Sequence, residues 1–168
     1  MKAKTIKILL CGFVTVASLF TATAQTDVKN LSLPDFEVKL QNNTSVNLNQ
    51  LKGKVVLLDF WYRGCAPCLQ AIPDLIKLQE EFKDDLVIIG INHSDIQEDV
   101  IDYFNYKKPN YLSTYKNGDN IPKVLNVNII GYPTTIVYDK EGKLIKMDAG
   151  YRKGGIRSLR SAIKKAIK

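Results

Sequence analysis

The sequence contains few residues that bind metal ions or form stabilising disulfides, with one His and three Cys in 168 residues, and it has a single Trp. A structural zinc site needs four Cys or His ligands and a catalytic one at least three. Beyond residue 24 the chain offers only Cys65, Cys68 and His93, so we expect no metal. Three Cys are also too few for a disulfide-stapled miniprotein. With 45% hydrophobic and 24% charged residues, the composition excludes a disordered chain and a multi-span membrane protein.

The first 24 residues have the pattern of a secretory signal peptide. Three Lys accompany an uncharged stretch of 13 residues over 8–20, which is shorter than the roughly 20 residues that span a bilayer. Ala22 and Ala24 are the small residues that a signal peptidase requires. We expect cleavage after Ala24 and a soluble periplasmic protein, with a retained leader that tethers the chain to the membrane as the alternative. Residues 25–30 would form a short polar tether and residues 31–168 a single domain.

The formal net charge of +7 is unevenly distributed along the chain. Residues 1–24 contribute +3, residues 25–151 contribute −3 and residues 152–168 contribute +7. The basic tail carries an apolar stripe at helical spacing, formed by Ile156, Leu159, Ile163 and Ile167. This stripe favours a helix docked on the domain, with Lys and Arg facing water, over a tail that binds nucleic acid or an anionic membrane. We therefore expect no nucleic-acid partner.

Hydrophobic patterning predicts an α/β fold in which a mixed sheet carries helices on both faces. The run over 55–61 is almost continuously apolar, which is typical of a central strand covered on both sides. No element is assigned to residues 107–128. The predicted strands lie at 36–40, 55–61, 86–91, 134–138 and 144–147, and the predicted helices at 69–82, with a kink at Pro73, 95–106 and 156–167.

Cys65-Ala66-Pro67-Cys68 lies where the predicted central strand ends and a helix begins. Unpaired backbone N–H groups and the positive end of the helix dipole would then face the sulfur of Cys65. Such surroundings lower the pKa of a thiol from about 8.5 toward the range of roughly 3.5–7.5. Cys68 lies one helical turn further on, within reach of a mixed disulfide at Cys65, and Pro67 suits a first helical turn. Because so short a loop constrains the unfolded chain little, the pair indicates redox chemistry.

With these motifs the sequence resembles the thioredoxin superfamily, and more narrowly the exported TlpA/ResA-like thiol–disulfide oxidoreductases. The resemblance extends from Leu33 to the end of the chain, and Pro73 falls at the family's helix proline. The matching segments are 33–36 (Leu-Pro-Asp-Phe), 51–56 (Leu-Lys-Gly-Lys-Val-Val), 60–61 (Phe-Trp), 65–68 (Cys-Ala-Pro-Cys) and 131–135 (Gly-Tyr-Pro-Thr-Thr). The resemblance implies a thioredoxin-like three-layer sandwich with an N-terminal β-hairpin extension.

The same resemblance implies roles for the matching residues. Cys65 would be the exposed nucleophile and Cys68 the resolving thiol. Pro133 would be a cis proline against the disulfide, and the backbone of Tyr132 would pair with an extended substrate segment. The remaining residues expected to support the active site are Trp61, Ala66 and Pro67.

Two acidic residues are candidate parts of the site. Asp59 stands six residues before Cys65, where thioredoxins carry a buried acid. Burial would raise the pKa of its carboxyl and allow it to exchange a proton with Cys68; the alternative is an Asp at an exposed strand end. Asp95 lies near where the subfamily often has an acid facing the Cys pair, with a plain helix N-cap as the alternative.

Three departures from the family pattern involve residues near the Cys pair. Gly64 replaces a usual Trp, so we expect a more open rim around Cys65. Ala71 stands where the family often has Glu, which weakens any role for an acid at that position. Tyr62 and Arg63 replace smaller residues, and the Arg63 guanidinium could either stabilise the Cys65 thiolate or point into solvent.

These features predict an exported thiol–disulfide oxidoreductase that reduces disulfides of envelope proteins through its Cys65–Cys68 pair. It would need no other cofactor, and an upstream dithiol donor, membrane-bound or soluble, would regenerate it. Substrates in the resembling families include apocytochrome c. One alternative is a thiol peroxidase of the same superfamily, although Tyr62 stands where that chemistry requires Thr or Ser. The other is a redox-silent binding module, for which the Cys pair could be lost without consequence.

Overall fold

The computed structural model describes residues 31–168. Within this range the strands are β1 (Glu37–Lys39), β2 (Ser45–Asn47), β3 (Val55–Trp61), β4 (Leu86–Asn92), β5 (Leu112–Ser113), β6 (Thr134–Tyr138) and β7 (Leu144–Ala149). The helices are α1 (Ala66–Glu81), α2 (Gln97–Lys107), α3 (Asn120–Leu125) and α4 (Ile156–Ile167). The expectations for the leader and the polar tether lie outside the described residues.

A five-stranded mixed sheet forms the centre of the domain, in the order β5-β4-β3-β6-β7. β3 lies in its middle, parallel to β4 and antiparallel to β6. All seven residues of β3 are buried, as predicted from its uninterrupted apolar run, because helices or loops cover both of its faces. A separate antiparallel hairpin of β1 and β2 precedes the sheet.

Side-chain alternation along β3 divides the core into two layers. Leu58 and Phe60 point into a cluster that includes residues of the N-terminal hairpin and of α3. Leu57 and its neighbours at alternate positions face the opposite side, where α1 and α4 pack. The predicted mixed sheet with helices on both faces is confirmed.

The predicted docking of the C-terminal helix is also confirmed. Ile163 of α4 is fully buried against the sheet and α1, and Leu159 is buried beside it. On the outer side, Arg160 and Lys164 both pair with Glu81 of α1, with the nearer contact at 2.7 Å. Part of the basic charge of the tail is therefore matched by an acid within the domain.

Several boundaries differ from the sequence prediction. Pro73 lies on the exposed side of α1, which continues through it to Glu81. α2 begins at Gln97, two residues later than predicted. The unassigned region 107–128 contains the two-residue strand β5 and the short helix α3. Within residues 31–168, no helix is both long enough and apolar enough to cross a membrane.

The docked position of α4 predicts a stability difference between its two sides. Replacing the fully buried Ile163 with Ala leaves a cavity, and we expect the free energy of unfolding to fall by about 2–5 kcal/mol. Lys165→Ala on the exposed side should change it by less than about 0.5 kcal/mol. Urea unfolding of the oxidised proteins measures both values, and equal losses would contradict the packing described for α4.

A redox-active cysteine pair at the end of the central strand

The cysteine pair lies at the junction between β3 and α1. After Trp61 the chain turns, and the Cys65 N–H donates to the Tyr62 carbonyl at 3.1 Å. Cys65 is the N-cap of α1, and its Sγ accepts the Cys68 N–H at 3.2 Å. The two residues form a disulfide with their Cα atoms 5.2 Å apart. The sulfur of Cys65 therefore occupies the place where a helix N-terminus stabilises negative charge.

Both cysteines are buried in the disulfide form. Cys65 is 3% exposed and Cys68 is 1% exposed. The expectation of an exposed Cys65 is therefore wrong for this state, whereas Gly64 itself is exposed and the more open rim stays a prediction. The half-buried rings of Tyr62 and Tyr132 pack against the cluster that contains both cysteines.

Asp59 is buried in the sheet. Its carboxyl is 1% exposed, which excludes the alternative of an exposed strand end. Pairing places it beside Gly90 of β4 and Thr135 of β6, on the side of β3 that also carries Trp61 and faces α1. Among residues 31–168 no hydrogen-bond partner reaches its Oδ1. Because burial penalises the carboxylate, the pKa of Asp59 rises from 3.8 to about 7.

Asp95 holds the loop that leads to the cysteines. Its Oδ2 accepts the backbone N–H of Arg63 at 2.6 Å and the Nδ2–H of Asn92 at 2.7 Å. The N-cap of α2 is Ile96, so the alternative of Asp95 as a plain N-cap is wrong. Asp95 acts on the backbone two residues before Cys65, and the buried Asn92 at the end of β4 fixes it in place.

The side chain of Arg63 is paired with Asp99 of α2. The Arg63 side chain is 53% exposed, which agrees with the alternative that it points into solvent, and its guanidinium pairs with Asp99 rather than with the sulfur of Cys65. The ion pair and the Asp95 hydrogen bond together connect the loop before Cys65 to the segment that begins α2.

Trp61 fixes the end of β3. Its indole N–H donates to Ser113 Oγ at 2.9 Å, and that hydroxyl donates to the Gly90 carbonyl at 3.0 Å. A Cβ at Gly90 would lie 2.9 Å from the indole nitrogen, so a glycine is needed there. Trp61 also contacts Tyr103 of α2, with ring centroids 5.3 Å apart.

The Tyr132–Pro133 peptide bond is cis, as the resemblance implies. Pro133 is buried, whereas Ala66 and Pro67 on the other side of the disulfide are exposed. Tyr132 contacts Tyr62 edge-on, with ring centroids 5.4 Å apart. The cis-proline loop and the cysteine loop therefore meet through two aromatic side chains.

Sequence reasoning missed four residues of the site. Tyr62 lies two residues before Gly64, and its ring is next to the space that a side chain at position 64 would occupy. This combination of a large residue and a glycine is the sequence signal that could have identified Tyr62. Ser113 lies in the unassigned region and carries no signal of its own. Asn92 is the last residue of β4 and His93 follows it, and the parallel pairing of β4 with β3 brings both to the site.

Within residues 31–168 no three His, Cys, Asp or Glu side chains are grouped so that they could hold a metal ion. The chemistry available at this site is that of the two sulfurs and the buried carboxyl.

Comparison with known proteins agrees with this geometry. The Redoxin family model matches residues 28–165. The chain belongs to the Redoxin family. It is 31% identical over 123 residues to the thioredoxin-like protein YneN of Bacillus subtilis, covering 70% of this chain and 69% of that protein. Thiol-disulfide oxidoreductase ResA of the same organism is 26% identical over 155 residues, covering 85% and 80%.

A solved structure shows the same fold. The DsbF homologue from Corynebacterium diphtheriae superposes with a TM-score of 0.73 at 26% identity, covering 80% of this chain and 85% of that one. The thioredoxin-like fold with its N-terminal hairpin, and the resemblance to TlpA/ResA-like proteins, are thereby confirmed. This Redoxin family member is a thioredoxin-like thiol–disulfide oxidoreductase.

Burial of Asp59 predicts a pH-dependent stability. Its pKa of about 7 in the folded protein lies above the ordinary 3.8, so between these values the native state binds the proton more tightly than the unfolded chain. The stabilisation linked to Asp59 is therefore complete below about pH 4 and is lost as the pH rises through 7. Relative to Asp59→Asn, the oxidised wild type should lose about 1.4 kcal/mol per pH unit in this window.

Urea unfolding of both oxidised proteins between pH 4 and pH 8 measures this difference. In the oxidised state neither cysteine titrates, so the comparison isolates the carboxyl. A difference in unfolding free energy that stays constant across the window would show that the Asp59 pKa is not raised.

Proposed function

We propose that this enzyme is exported and reduces disulfides of envelope proteins, with Cys65 as the nucleophile and Cys68 as the resolving thiol. The observation that carries the proposal is the position of Cys65 Sγ at the N-terminus of α1, where it accepts the Cys68 N–H. The N-terminus of a helix stabilises the negatively charged thiolate relative to the neutral thiol. Cys68 lies one turn further along the same helix, and its sulfur is already within bonding distance of Cys65 Sγ.

The proposed reaction has two exchange steps. The Cys65 thiolate attacks one sulfur of the substrate disulfide, and the other substrate sulfur leaves as a thiolate that takes up a proton. The Cys68 thiolate then attacks Cys65 Sγ, which releases the second substrate thiol and forms the Cys65–Cys68 disulfide. Two electrons pass to the substrate, and an upstream dithiol donor returns the enzyme to its reduced form.

Asp59 is proposed to accept the proton of Cys68 during the second step. A general base works best when its pKa lies near the operating pH, and burial raises that of Asp59 to about 7. Its position on the side of β3 that faces α1 supports this role, because Cys68 is a buried residue of α1. A carboxyl without a partner at Oδ1 is also able to take up a proton without losing a hydrogen bond there.

The remaining candidate residues are proposed to position the substrate and the loop. Pro133 and the backbone of Tyr132 would carry an extended substrate segment beside the disulfide. Ala66 and Pro67 form the exposed approach to the pair. Two further residues would stabilise the loop before Cys65. The Trp61 indole N–H donates to Ser113 Oγ, and Asp95 accepts the Arg63 N–H.

The direction and the compartment of the reaction are proposed from the sequence. A Pro-containing dipeptide between the cysteines resembles that of reducing members of the superfamily. The leader pattern in residues 1–24 supports export to the periplasm, where disulfide-bearing proteins occur. Apocytochrome c is one candidate among the envelope substrates.

A trapping experiment tests the proposal. Cys68→Ala, expressed in the cell that makes the protein, should accumulate mixed disulfides between Cys65 and its substrates, because the resolving thiol is missing. Cys65→Ala is the matched control and should trap none. Non-reducing electrophoresis and mass spectrometry identify the adducts and show whether they are envelope proteins.

The proposed function fails if no Cys65 adducts form and the reduced wild type does not reduce a model disulfide protein. Consumption of hydrogen peroxide by the purified protein with a thiol reductant would instead support the peroxidase alternative. Full function in a cell that contains only the Cys65→Ala variant would support the redox-silent binding module.

The role of Asp59 predicts a change confined to the second step. In Asp59→Asn we expect the mixed disulfide on Cys65 to resolve about 100-fold more slowly near pH 7, since the base for Cys68 is lost. Alkylation of Cys65 should keep its wild-type rate. Rapid-quench single-turnover experiments separate the two steps, and unchanged resolution would remove Asp59 from the mechanism.

A further inference from the structure

Tyr62 belongs to the loop that leads to Cys65 and packs against the cluster around the disulfide. Tyr62 stands three residues before Cys65, and its carbonyl accepts the Cys65 N–H at 3.1 Å. This hydrogen bond closes a turn that folds Tyr62 back toward the cysteine. Its ring packs against the cluster that contains Cys65, whose exposure is 3%.

Gly64 provides the space for that ring. A Cβ built at Gly64 would lie 3.3 Å from Cε2 of Tyr62 and 3.6 Å from its Cδ2. A side chain at position 64 would therefore press on the ring. The absence of a side chain at Gly64 therefore leaves the space that the Tyr62 ring occupies.

Tyr62 is the end of a row of three rings, which we call the aromatic row: Tyr62, Tyr132 and His93. The centroids of Tyr62 and Tyr132 are 5.4 Å apart at 83°, and those of His93 and Tyr132 are 5.3 Å apart at 46°. A second glycine makes room at the other end, since a Cβ at Gly118 would lie 1.9 Å from Nδ1 of His93.

The aromatic row presents an apolar surface next to the reactive sulfur. All three rings are half-buried, so each keeps part of its surface accessible. The nearest strong positive charge on the cysteine loop, Arg63, is paired with Asp99. The exposed residues on the other side of Cys65 are Ala66 and Pro67, which are also uncharged. Burial and, after it, the nearby carboxylate of Asp119 raise the pKa of Tyr132, so one acidic group borders the aromatic row. The rest of the surface around Cys65 suits a large apolar side chain.

We propose that Tyr62 determines substrate specificity, by selecting disulfides whose cysteine is flanked by a large apolar or aromatic residue. That residue packs on the aromatic row in place of the contact between Tyr62 and Tyr132, and the displaced Tyr62 uncovers Cys65. A substrate with small or charged flanking residues cannot replace the lost ring contact. The inference rests on the proposed attack by Cys65 and leaves its chemistry unchanged.

Two disulfide peptides of equal net charge test this specificity, one with Phe beside the cystine and one with Gly. Reduced wild type should react with the Phe peptide about five-fold faster, which is the size of effect that one aromatic contact provides. Tyr62→Ala should lose this preference, whereas Tyr62→Phe, which keeps the ring, should retain it. Tyr106→Ala is the matched control, because Tyr106 is 76% exposed on α2, and it should behave as wild type.

Alkylation by iodoacetamide provides the second readout. Because this reagent is small and offers no surface to the aromatic row, Tyr62→Ala should raise the alkylation rate of Cys65 several-fold. The midpoint of the pH profile should stay unchanged, since the effect is one of access.

Three outcomes overturn the inference. The first is equal rates of reduction of both peptides by the wild type, the second is a preference for Phe that persists in Tyr62→Ala, and the third is an unchanged alkylation rate of Cys65 in Tyr62→Ala. In each case the proposed attack by Cys65 still stands. If the wild type reduces neither peptide, fails to reduce a model disulfide protein and its Cys68→Ala variant traps no adducts, the proposed function itself fails, and the inference falls with it.

Discussion

The hydrogen bond from the Cys68 N–H to Cys65 Sγ is the interaction on which the rest of the site depends. It requires that a helix begin directly after Cys65, at the place where the central strand ends. The buried apolar run of β3 fixes that end, and Trp61 anchors it through Ser113. Asp95 then binds the backbone of the intervening loop. Strand, loop and helix are thereby arranged so that the sulfur lies at the N-terminus of α1, a position that favours its thiolate.

The buried carboxyl of Asp59 opposes stability and therefore indicates a function. It lies in a strand that is otherwise apolar, without a hydrogen-bond partner at Oδ1 among the described residues. Ionising it near neutral pH costs folding free energy, which is why its pKa is raised. Gly90 pairs beside it on β4, so no side chain from that strand can neutralise it. A hydrophobic residue would stabilise the sheet more, and the raised pKa is what the proposed proton transfer requires.

The sequence predicted the parts of this molecule that depend on local patterns. The apolar runs of β3 and β4 and the stripe of α4 lie where expected, because burial alone determines them. β5 has only two residues and escaped prediction, because its place depends on pairing with β4 rather than on its own sequence. The exposure of Cys65 was predicted wrongly because it depends on several side chains that pack against the cluster around the disulfide, among them Tyr132, which lies 70 positions beyond Tyr62 in the chain. Asp95 likewise acts through a backbone N–H that sequence spacing does not reveal.

The pKa of the Cys65 thiol in the reduced protein tests the central claim most directly. It can be measured from the pH dependence of iodoacetamide alkylation, with mass spectrometry to identify the labelled cysteine. The helix N-terminus favours the thiolate, whereas burial disfavours it, and the account requires that the helix prevail. A midpoint below about 7.5 is the expected result. A midpoint at or above the value of about 8.5 for an ordinary thiol would show that the junction of β3 and α1 does not activate Cys65.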